Sequence, residues 1–389
     1  MAATRHYARI ISADSHVMEP YDLWWKPLGQ TFGDRTPRLL DEYQGRQGTF
    51  FYSGNTGRPV AAVRDRDPET EAAAAAAEAR GMEACGYDPV VRVRFQEEAD
   101  IAAEVLNPTR MLGIMRNPDV EVVQACAQVY NDWAAAFVSY NPKRFIGVSV
   151  IPMHDVDWAL KELARTLQKG LRNPMIHCQA PEGYPHYRDP VYDRFWAAAS
   201  EASAPVTLHV LTGRVLSPLG GAQDQTPEER HANPAQWIEL FAEIQTVLAN
   251  DFIFGGILAR FPQLQVVCGE YEVSWIPGFM ARLDQIDDNI SRFHLPRLPM
   301  RASDYMRTRV YHGFISDTAA DYCIPHIGVE QVLWGSDFPH FRSIGLEAQS
   351  ALHTLLGSLP RQDQEKVVGG NAAPVFNINS EGGSCTAWP

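Results

Sequence analysis

Acidic and imidazole side chains recur in this sequence where short apolar, β-branched runs end. Asp14 and His16 lie two residues apart at the first such run, and the later runs end at His177, His209, Glu270 and Asp337. Imidazole nitrogens and carboxylate oxygens are ligands of Zn²⁺, Mn²⁺ and Fe²⁺ in proteins. These residue types therefore predict a divalent metal centre, provided that the fold brings the ends of the runs together.

The apolar runs are the predicted strands of a parallel sheet. They alternate with segments of helical period, and they span residues 8–13, 102–106, 145–151, 172–178, 205–210, 264–269, 309–314 and 331–334. This alternation is typical of an α/β fold, and eight strands favour a (β/α)8 TIM-type barrel over an open sheet. The C-terminal ends of all barrel strands meet at one mouth, so we expect the candidate ligands to lie close together.

Two long segments interrupt the alternation. We predict a single barrel over residues 1–379, in which residues 26–89 form a lid insertion after the first strand, with short hairpins and one helix at 71–81. The second segment, at 211–233, is a long loop after the fifth strand. Long loops at the mouth of a barrel are often functional. Residues 380–389 are predicted to be a disordered tail.

Composition excludes several classes of function. The chain has 389 residues, with 34 Lys and Arg against 47 Asp and Glu, and a formal charge of −13. Because no cluster of basic residues is present, we expect neither a nucleic acid nor a membrane as partner. The six cysteines are widely separated and form no paired pattern. Without a secretory signal either, we expect a cytoplasmic protein with reduced thiols.

Each candidate ligand taken alone also has a structural explanation. Asp14 and His16 could form a local polar pair, His209 could be a hydrogen-bonded core residue, and Asp337 could cap a helix. The metal interpretation rests on their conjunction. Several independent strand ends supply ligand types at the face of the fold where barrel enzymes carry their sites.

Several motifs, in this order, resemble those of the amidohydrolase superfamily. They are SADSHVMEP at 12–20, VTLH at 206–209, RFPQLQVVCGE at 260–270, WIP at 275–277 and WGSDFP at 334–339. The sequence is most similar to the branch that contains aminocarboxymuconate semialdehyde decarboxylase and γ-resorcylate decarboxylase. The resemblance implies a metal-dependent barrel enzyme. It also implies that His16, His209 and Asp337 match the family's metal ligands, with Asp14 where relatives place His or Glu.

The sequence departs from this branch at two positions. The decarboxylases carry a histidine and an acidic partner after the sixth strand, where this chain has Glu270 and Glu272. A histidine is suited to deliver a proton near neutral pH, whereas a carboxyl group would need a raised pKa. His177 after the fourth strand is an additional imidazole, and it is a candidate ligand of a second ion.

The predicted ligand set is rich in oxygen, which leaves the metal open. Asp14, His16, His209, Asp337, Glu270 and His177 together would suit Zn²⁺, Mn²⁺ or Fe²⁺, and a bridging Glu270 would allow two ions. Two functions follow as alternatives to hydrolysis or decarboxylation. One is a dinuclear Fe or Mn hydroxylase acting on a small amino or carboxylic acid, and the other is a scaffold subunit in a hetero-oligomer with a related barrel.

The favoured function is metal-dependent hydrolysis or non-oxidative decarboxylation of a small carboxylated substrate, cyclic or aromatic. Asp337 and Glu270 are the predicted catalytic residues, Asp337 as the base in hydrolysis and either carboxyl group as the proton donor in decarboxylation. The predicted substrate-binding residues are Trp24 as a wall of the pocket, arginines that could hold a carboxylate, and histidines near the mouth: Trp24, Arg188, Arg214, His312 and His340. We expect a homo-oligomer.

Overall fold

The structure is a computed structural model that describes residues 5–54, 56–60, 84–213, 234–340 and 343–378. Its strands are β1 (Ile10–His16), β2 (Arg38–Tyr43), β3 (Arg46–Ser53), β4 (Thr56–Pro59), β5 (Ile101–Asn107), β6 (Phe145–Val150), β7 (Asn173–Ile176), β8 (Val206–His209), β9 (Val266–Gly269), β10 (Val310–Phe314) and β11 (Val332–Trp334). The helices are Trp25–Phe32, Pro89–Glu98, Arg110–Ile114, Val120–Ser139, Val156–Gln168, Asp193–Glu201, Pro234–Val247, Ile257–Arg260, Ile276–Asp288, Ala302–Thr308, Ala320–Ile327, Ala348–Leu356, Arg361–Glu365 and Ala372–Val375.

Eight parallel strands form a nearly closed barrel in the order β1-β5-β6-β7-β8-β9-β10-β11, with helices between them. Just past β11 the chain bonds to β1, because the Asp337 amide donates to the Asp14 carbonyl and the His16 amide donates to the Phe338 carbonyl, each at 2.8 Å. The prediction of a (β/α)8 barrel is confirmed, and each predicted strand overlaps an observed one. None of the helices in the described ranges is long and apolar enough to cross a membrane.

The first strand extends three residues beyond its predicted end, through Asp14 and Ser15 to His16. Its register against β5 shifts between Ser12 and Ser15, so this strand carries an irregularity just before the site. The polar side chains remain buried because they bond one another. Ser12 Oγ lies 2.8 Å from Ser15 Oγ, which in turn donates to Glu104 at 2.9 Å.

Side chains point alternately to the two faces of each barrel strand and so form two layers of core. Alternate residues share one face of a strand, and one apolar cluster combines Ile11, Val105 and Val267 with Phe376 near the C-terminal end of the described chain. The intervening residues, such as Leu208 and Val310, join the larger cluster that also contains residues of the surrounding helices. The first set faces the barrel interior and the second faces the helices.

Residues inserted after β1 form a separate small sheet. The strands β2, β3 and β4 pair antiparallel in that order, and Phe51 of β3 packs against Tyr21 and Trp24 of the segment that follows β1. The helix predicted at 71–81 lies outside the described residues, and so does most of the loop at 211–233. The extent of the lid, 26–89, stays a prediction.

A buried ion pair lies where the barrel closes. Arg92 Nε and Nη2 donate to the two carboxylate oxygens of Glu104 at 2.7 and 2.8 Å, and both side chains are completely buried. Arg92 also donates to the carbonyl oxygens of His16 at 2.9 Å and Phe338 at 3.4 Å. Gln96 donates to Glu104 at 2.8 Å. A buried pair whose remaining donors and acceptors are also bonded holds its geometry tightly.

Removing one member of this pair should destabilise the fold strongly. In Arg92→Met the Glu104 carboxylate stays buried without its cation, and we expect a loss of about 3–5 kcal/mol in the free energy of unfolding, measured by urea denaturation. The matched control is Arg194→Met, which breaks the exposed pair with Asp157 and should cost less than about 1 kcal/mol. Equal losses in the two variants would contradict the role given to the buried pair.

Candidate metal centre

Donor atoms from four barrel strands converge at the C-terminal mouth. Two overlapping groups have ligand atoms within 4.8 Å of one another, and they share one histidine: Asp14, His16 and His209 form one group, and His16, Glu270, Asp337 and His340 form the other. Asp14 and His16 end β1, His209 ends β8, Glu270 follows β9, and Asp337 follows β11. The fold therefore brings together five of the six residues predicted as ligands.

Backbone carbonyl groups orient both histidines. His16 Nδ1 lies 2.7 Å from the carbonyl oxygen of Pro108, and His209 Nδ1 lies 3.0 Å from that of Val210. A carbonyl oxygen only accepts, so each Nδ1 carries a hydrogen, and each ring in its neutral form presents an unprotonated Nε2 to the site. Both Nε2 atoms are buried and lack a hydrogen-bond partner in the described part of the chain.

Asp14 lies between these two nitrogens. Its Oδ1 is 3.4 Å from His16 Nε2 and 3.5 Å from His209 Nε2, and it accepts a hydrogen bond from Asn107 Nδ2 at 2.7 Å. Its Oδ2 is buried and has no hydrogen-bond partner among the described residues. Buried polar atoms are normally bonded, so three unsatisfied ligand atoms in one place indicate a group that binds there.

Asp337 and Glu270 both lie on left-handed backbone, at φ +54° and +62°. Residues with side chains rarely adopt this conformation, and it turns both carboxyl groups back over the strand ends. Asp337 Oδ1 lies 3.4 Å from His16 Nε2, and Glu270 Oε2 lies 3.8 Å from His209 Nε2.

Two glycines permit this close approach. A Cβ at Gly269 would lie 2.7 Å from the His209 ring, and one at Gly335 would lie 2.3 Å from Asp14 Cβ. Both distances are shorter than carbon atoms tolerate, so any side chain at these positions would displace His209 or Asp14.

His340 joins the site through Asp337. Its Nδ1 lies 2.6 Å from Asp337 Oδ1, and its Nε2 lies 2.9 Å from Thr109 Oγ1. The Thr109 hydroxyl donates its own hydrogen to the Val17 carbonyl at 2.7 Å, so it accepts from His340 Nε2. Because the hydrogen of a neutral His340 ring is on Nε2, the 2.6 Å contact between Nδ1 and Asp337 Oδ1 requires one more proton, on Nδ1 or on the carboxyl group.

Burial and mutual interaction shift the pKa values of the titratable groups in the site. Burial raises the pKa of Asp14, but the His209 and His16 rings outweigh it and hold that pKa well below its usual range. Burial lowers the pKa of His16 to about 4. Burial also acts to lower the pKa of His209, but the Asp14 carboxylate outweighs it and raises that pKa to about 9. Burial raises the pKa values of Glu270 and Asp337.

The residues present fit a divalent cation. Two imidazole nitrogens and the carboxylates of Asp14 and Asp337 form a mixed nitrogen and oxygen set, which suits Mn²⁺, Fe²⁺ or Zn²⁺. A cation would satisfy the unpartnered Nε2 and Oδ2 atoms and compensate the crowded carboxylates, displacing the proton on His209.

Comparison with known proteins agrees with this arrangement. The Amidohydrolase family model (Amidohydro_2) matches residues 89–378, well over half of the chain. The chain belongs to this family. The resemblance seen in the motifs is thereby confirmed, and so is the expectation that the protein is an enzyme.

Amidohydrolase relatives of known activity are distant. The chain is 25% identical over 299 residues to γ-resorcylate decarboxylase from Polaromonas sp. (strain JS666), a match that covers 74% of this chain and 87% of the relative. It is 24% identical to 2-amino-3-carboxymuconate-6-semialdehyde decarboxylase from Dictyostelium discoideum, with 75% and 77% covered. A crystal structure of dihydroxybenzoic acid decarboxylase from Polaromonas sp. JS666, with bound manganese and an inhibitor, has a TM-score of 0.66 at 20% identity, covering 96% and 98% of the chains.

The structure disagrees with the prediction of His177 as a metal ligand. The ring belongs to neither ligand group, although it faces the barrel interior like Met175. Its Nε2 lies 2.9 Å from the Met115 carbonyl oxygen and its Nδ1 accepts from the Met153 amide at 3.5 Å. His177 Nε2 thus donates to a backbone carbonyl, and the lone pair on Nδ1 faces the Met153 amide, so backbone groups hold the ring apart from the ligand groups.

Three predicted substrate-binding residues bond to partners outside the two ligand groups. His312 faces the helices, with Nε2 3.2 Å from the Met306 carbonyl oxygen. Trp24 is fully buried and its indole donates to the Cys126 carbonyl at 3.1 Å, so it is a core residue. Arg188 pairs with Asp251 at 3.0 Å. Arg214 lies outside the described residues, and of this set only His340 reaches the ligand groups.

Sequence reasoning missed Asn107 and Thr109. Asn107 fixes the orientation of Asp14, and Thr109 that of His340. Their positions could have indicated them, because both polar residues lie within three residues of the end of the predicted strand 102–106, which is also part of the barrel mouth.

Replacing a histidine of the centre should abolish metal retention. In His209→Ala we expect Mn²⁺ affinity to fall by more than the roughly 10- to 100-fold that loss of an outer partner costs, because an inner ligand is removed. Metal content after Mn²⁺ loading and desalting measures this. The control is His312→Ala, an equally buried histidine on the outward face, which should retain the ion. Loss of metal in both variants, or in neither, would refute the assignment.

Proposed function

We propose that the protein is a metal-dependent decarboxylase that releases carbon dioxide from a carboxylated aromatic acid. The observation that carries the proposal is the convergence of two buried, unpartnered Nε2 atoms with Asp14 and Asp337 at the barrel mouth. Its support from comparison is that the two relatives described above are decarboxylases, and that a structurally similar decarboxylase binds manganese.

Four residues would hold the ion, namely Asp14, His16, His209 and Asp337. When bound, a divalent ion supplies positive charge that attracts the oxygen atoms of an anionic substrate. Asn107 orients Asp14, and the backbone carbonyls of Pro108 and Val210 orient His16 and His209. Such outer partners fix the ring tautomers that a metal requires.

Decarboxylation also requires a proton. The bond between the ring carbon and the carboxylate carbon breaks, its electron pair stays on the ring carbon, and a proton must form the new C–H bond. Glu270 is suited to supply that proton. Its side chain is 29% exposed, against 3% for Asp14 and Asp337, so it is the carboxyl group of the site that faces open space. It lies after β9, where the decarboxylases that the sequence resembles carry a histidine.

The observations favour decarboxylation over the dinuclear hydroxylase and over hydrolysis. The dinuclear hydroxylase needs a second set of ligands that includes His177, and both nitrogens of that ring are bonded to backbone. For hydrolysis the described site offers the same ligands and no feature that favours it over decarboxylation. The distant relatives, which are decarboxylases, support decarboxylation over hydrolysis.

The test is release of carbon dioxide by Mn²⁺-loaded protein from γ-resorcylate and related hydroxybenzoates. In deuterated water, deuterium should appear on the ring carbon that loses the carboxylate. In Glu270→Gln we expect kcat to fall roughly 100- to 10,000-fold, the usual contribution of a general acid, with metal content unchanged.

Glu272→Gln is the matched control. Its carboxylate accepts from the amides of Ile315 and Ser316 at 3.2 and 3.4 Å and belongs to neither ligand group, so turnover should stay within a few fold. Uptake of O₂ that depends on the aromatic acid, without release of carbon dioxide, would overturn the proposal in favour of a hydroxylase.

A further inference from the structure

A cavity of about 190 Å³ lies between the inserted sheet and the loops that follow β1 and β5. Its apolar lining includes Tyr21 and Ile114 from the barrel side and Phe51 from β3, and its polar lining includes Ser53, Thr109 and Arg110. An apolar cavity of about 150 Å³ is large enough to take up benzene. This cavity therefore has room for a substituted ring or for a comparable part of a larger molecule.

Arg110 is a cation with unused donors beside this cavity. Its guanidinium stacks on the Tyr21 ring at 3.7 Å, and Nη1 donates to the Glu19 carbonyl. Nε and Nη2 have no hydrogen-bond partner among the described residues, and the described chain provides no carboxylate within ion-pair distance of Arg110. A planar guanidinium held in place on an aromatic ring is preorganised to bind a carboxylate.

The backbone around Arg110 is firmly fixed. The Glu19 carboxylate is fully buried and accepts from the amides of Thr109, Arg110 and Met111 at 3.3, 2.8 and 3.1 Å. Because the main chain is held on this side and the guanidinium on the other, little conformational entropy remains to be lost when a ligand binds.

Ser53 provides a second, independent observation. It is 9% exposed, lines the cavity, and its Oγ has no hydrogen-bond partner in the described ranges. A buried hydroxyl without a partner is unfavourable unless something binds to it. The cavity thus combines an aromatic wall with a buried, unpartnered hydroxyl and a half-buried guanidinium. This is the chemistry that recognises a ring bearing an anionic group.

The cavity adjoins the metal centre through Thr109. This residue lines the cavity, and its hydroxyl accepts the hydrogen bond from His340, which in turn contacts Asp337. Phe51 and Ser53 belong to β3, so this part of the lining is supplied by the small sheet inserted after β1.

We propose that this cavity is the specificity pocket of the enzyme, and that its substrates are aromatic dicarboxylic acids or rings with an equivalent second anionic group. One carboxylate lies at the metal centre, and Arg110 and Ser53 bind the other substituent while the ring packs against Phe51 and Tyr21. This inference rests on the proposed function, because it assigns the departing carboxylate to the metal centre.

Binding of isophthalate and terephthalate, each compared with benzoate, tests the pocket. Calorimetry on Mn²⁺-loaded wild-type protein should show at least one dicarboxylate binding about tenfold or more tighter than benzoate, as expected for a hydrogen-bonded charge pair. In Arg110→Met this preference should disappear while benzoate affinity is unchanged. In Ser53→Ala it should fall roughly two- to tenfold.

Arg194→Met is the matched control, because this exposed arginine already pairs with Asp157, and it should leave the preference intact. Ser53→Ala removes only an unpartnered atom, so it remains informative even if Arg110→Met fails to fold. A preference unaffected by both changes at the cavity, or an equal loss of benzoate affinity, would overturn the inference.

Binding and turnover separate this inference from the proposed function. If the dicarboxylate preference depends on Arg110 but no aromatic acid loses carbon dioxide, the pocket stands and the reaction is wrong. If carbon dioxide is released at rates indifferent to Arg110 and Ser53, the reaction stands and the pocket is wrong.

Discussion

The buried pair of Arg92 and Glu104 is the interaction on which the geometry of the site depends. Arg92 binds the carbonyl oxygens of His16 and Phe338, so one guanidinium holds the last residue of the first strand and the turn that follows the last strand. Glu104 lies on the neighbouring strand and also accepts from Ser15. Because burial of two charges is costly unless every donor and acceptor is bonded, the pair enforces one arrangement of three chain segments.

Local backbone constraints then place the ligands on this frame. Glu270 and Asp337 occupy left-handed backbone, and glycines next to them leave no side chain where His209 and Asp14 must fit. The strained backbone and the glycines are explained by the position that they give to the carboxyl groups, which is a common property of functional sites.

The sequence allowed the barrel and most of the centre to be predicted for a physical reason. Strand alternation with helices has a strong pattern, and strand ends in a barrel share one mouth, so Asp14, His209 and Asp337 could be grouped without knowing any distance. The direction in which individual side chains point was harder to predict. His177 and His312 are both histidines at barrel strands and both bond to backbone carbonyls, yet His312 faces the helices and His177 faces the barrel interior.

Partners distant in sequence account for the other differences between prediction and structure. The sequence alone does not show that Arg188 forms an ion pair with Asp251. Nor does it show that the Trp24 indole donates to the Cys126 carbonyl in the core. Arg110 shows the opposite case. No motif distinguished it, and its relevance follows from the donors that the fold leaves unused beside a cavity.

The meeting of the first and last barrel strands has a consequence for how the chain folds. Asp14 and Asp337 come from nearly opposite ends of the sequence, and their contact closes a loop that contains almost the whole barrel. Closing so long a loop carries a large entropic cost, although that cost grows only slowly with length. An ion held by both carboxylates would act as a removable cross-link between the first and last strands, so occupancy of the centre and closure of the barrel would form one linked equilibrium.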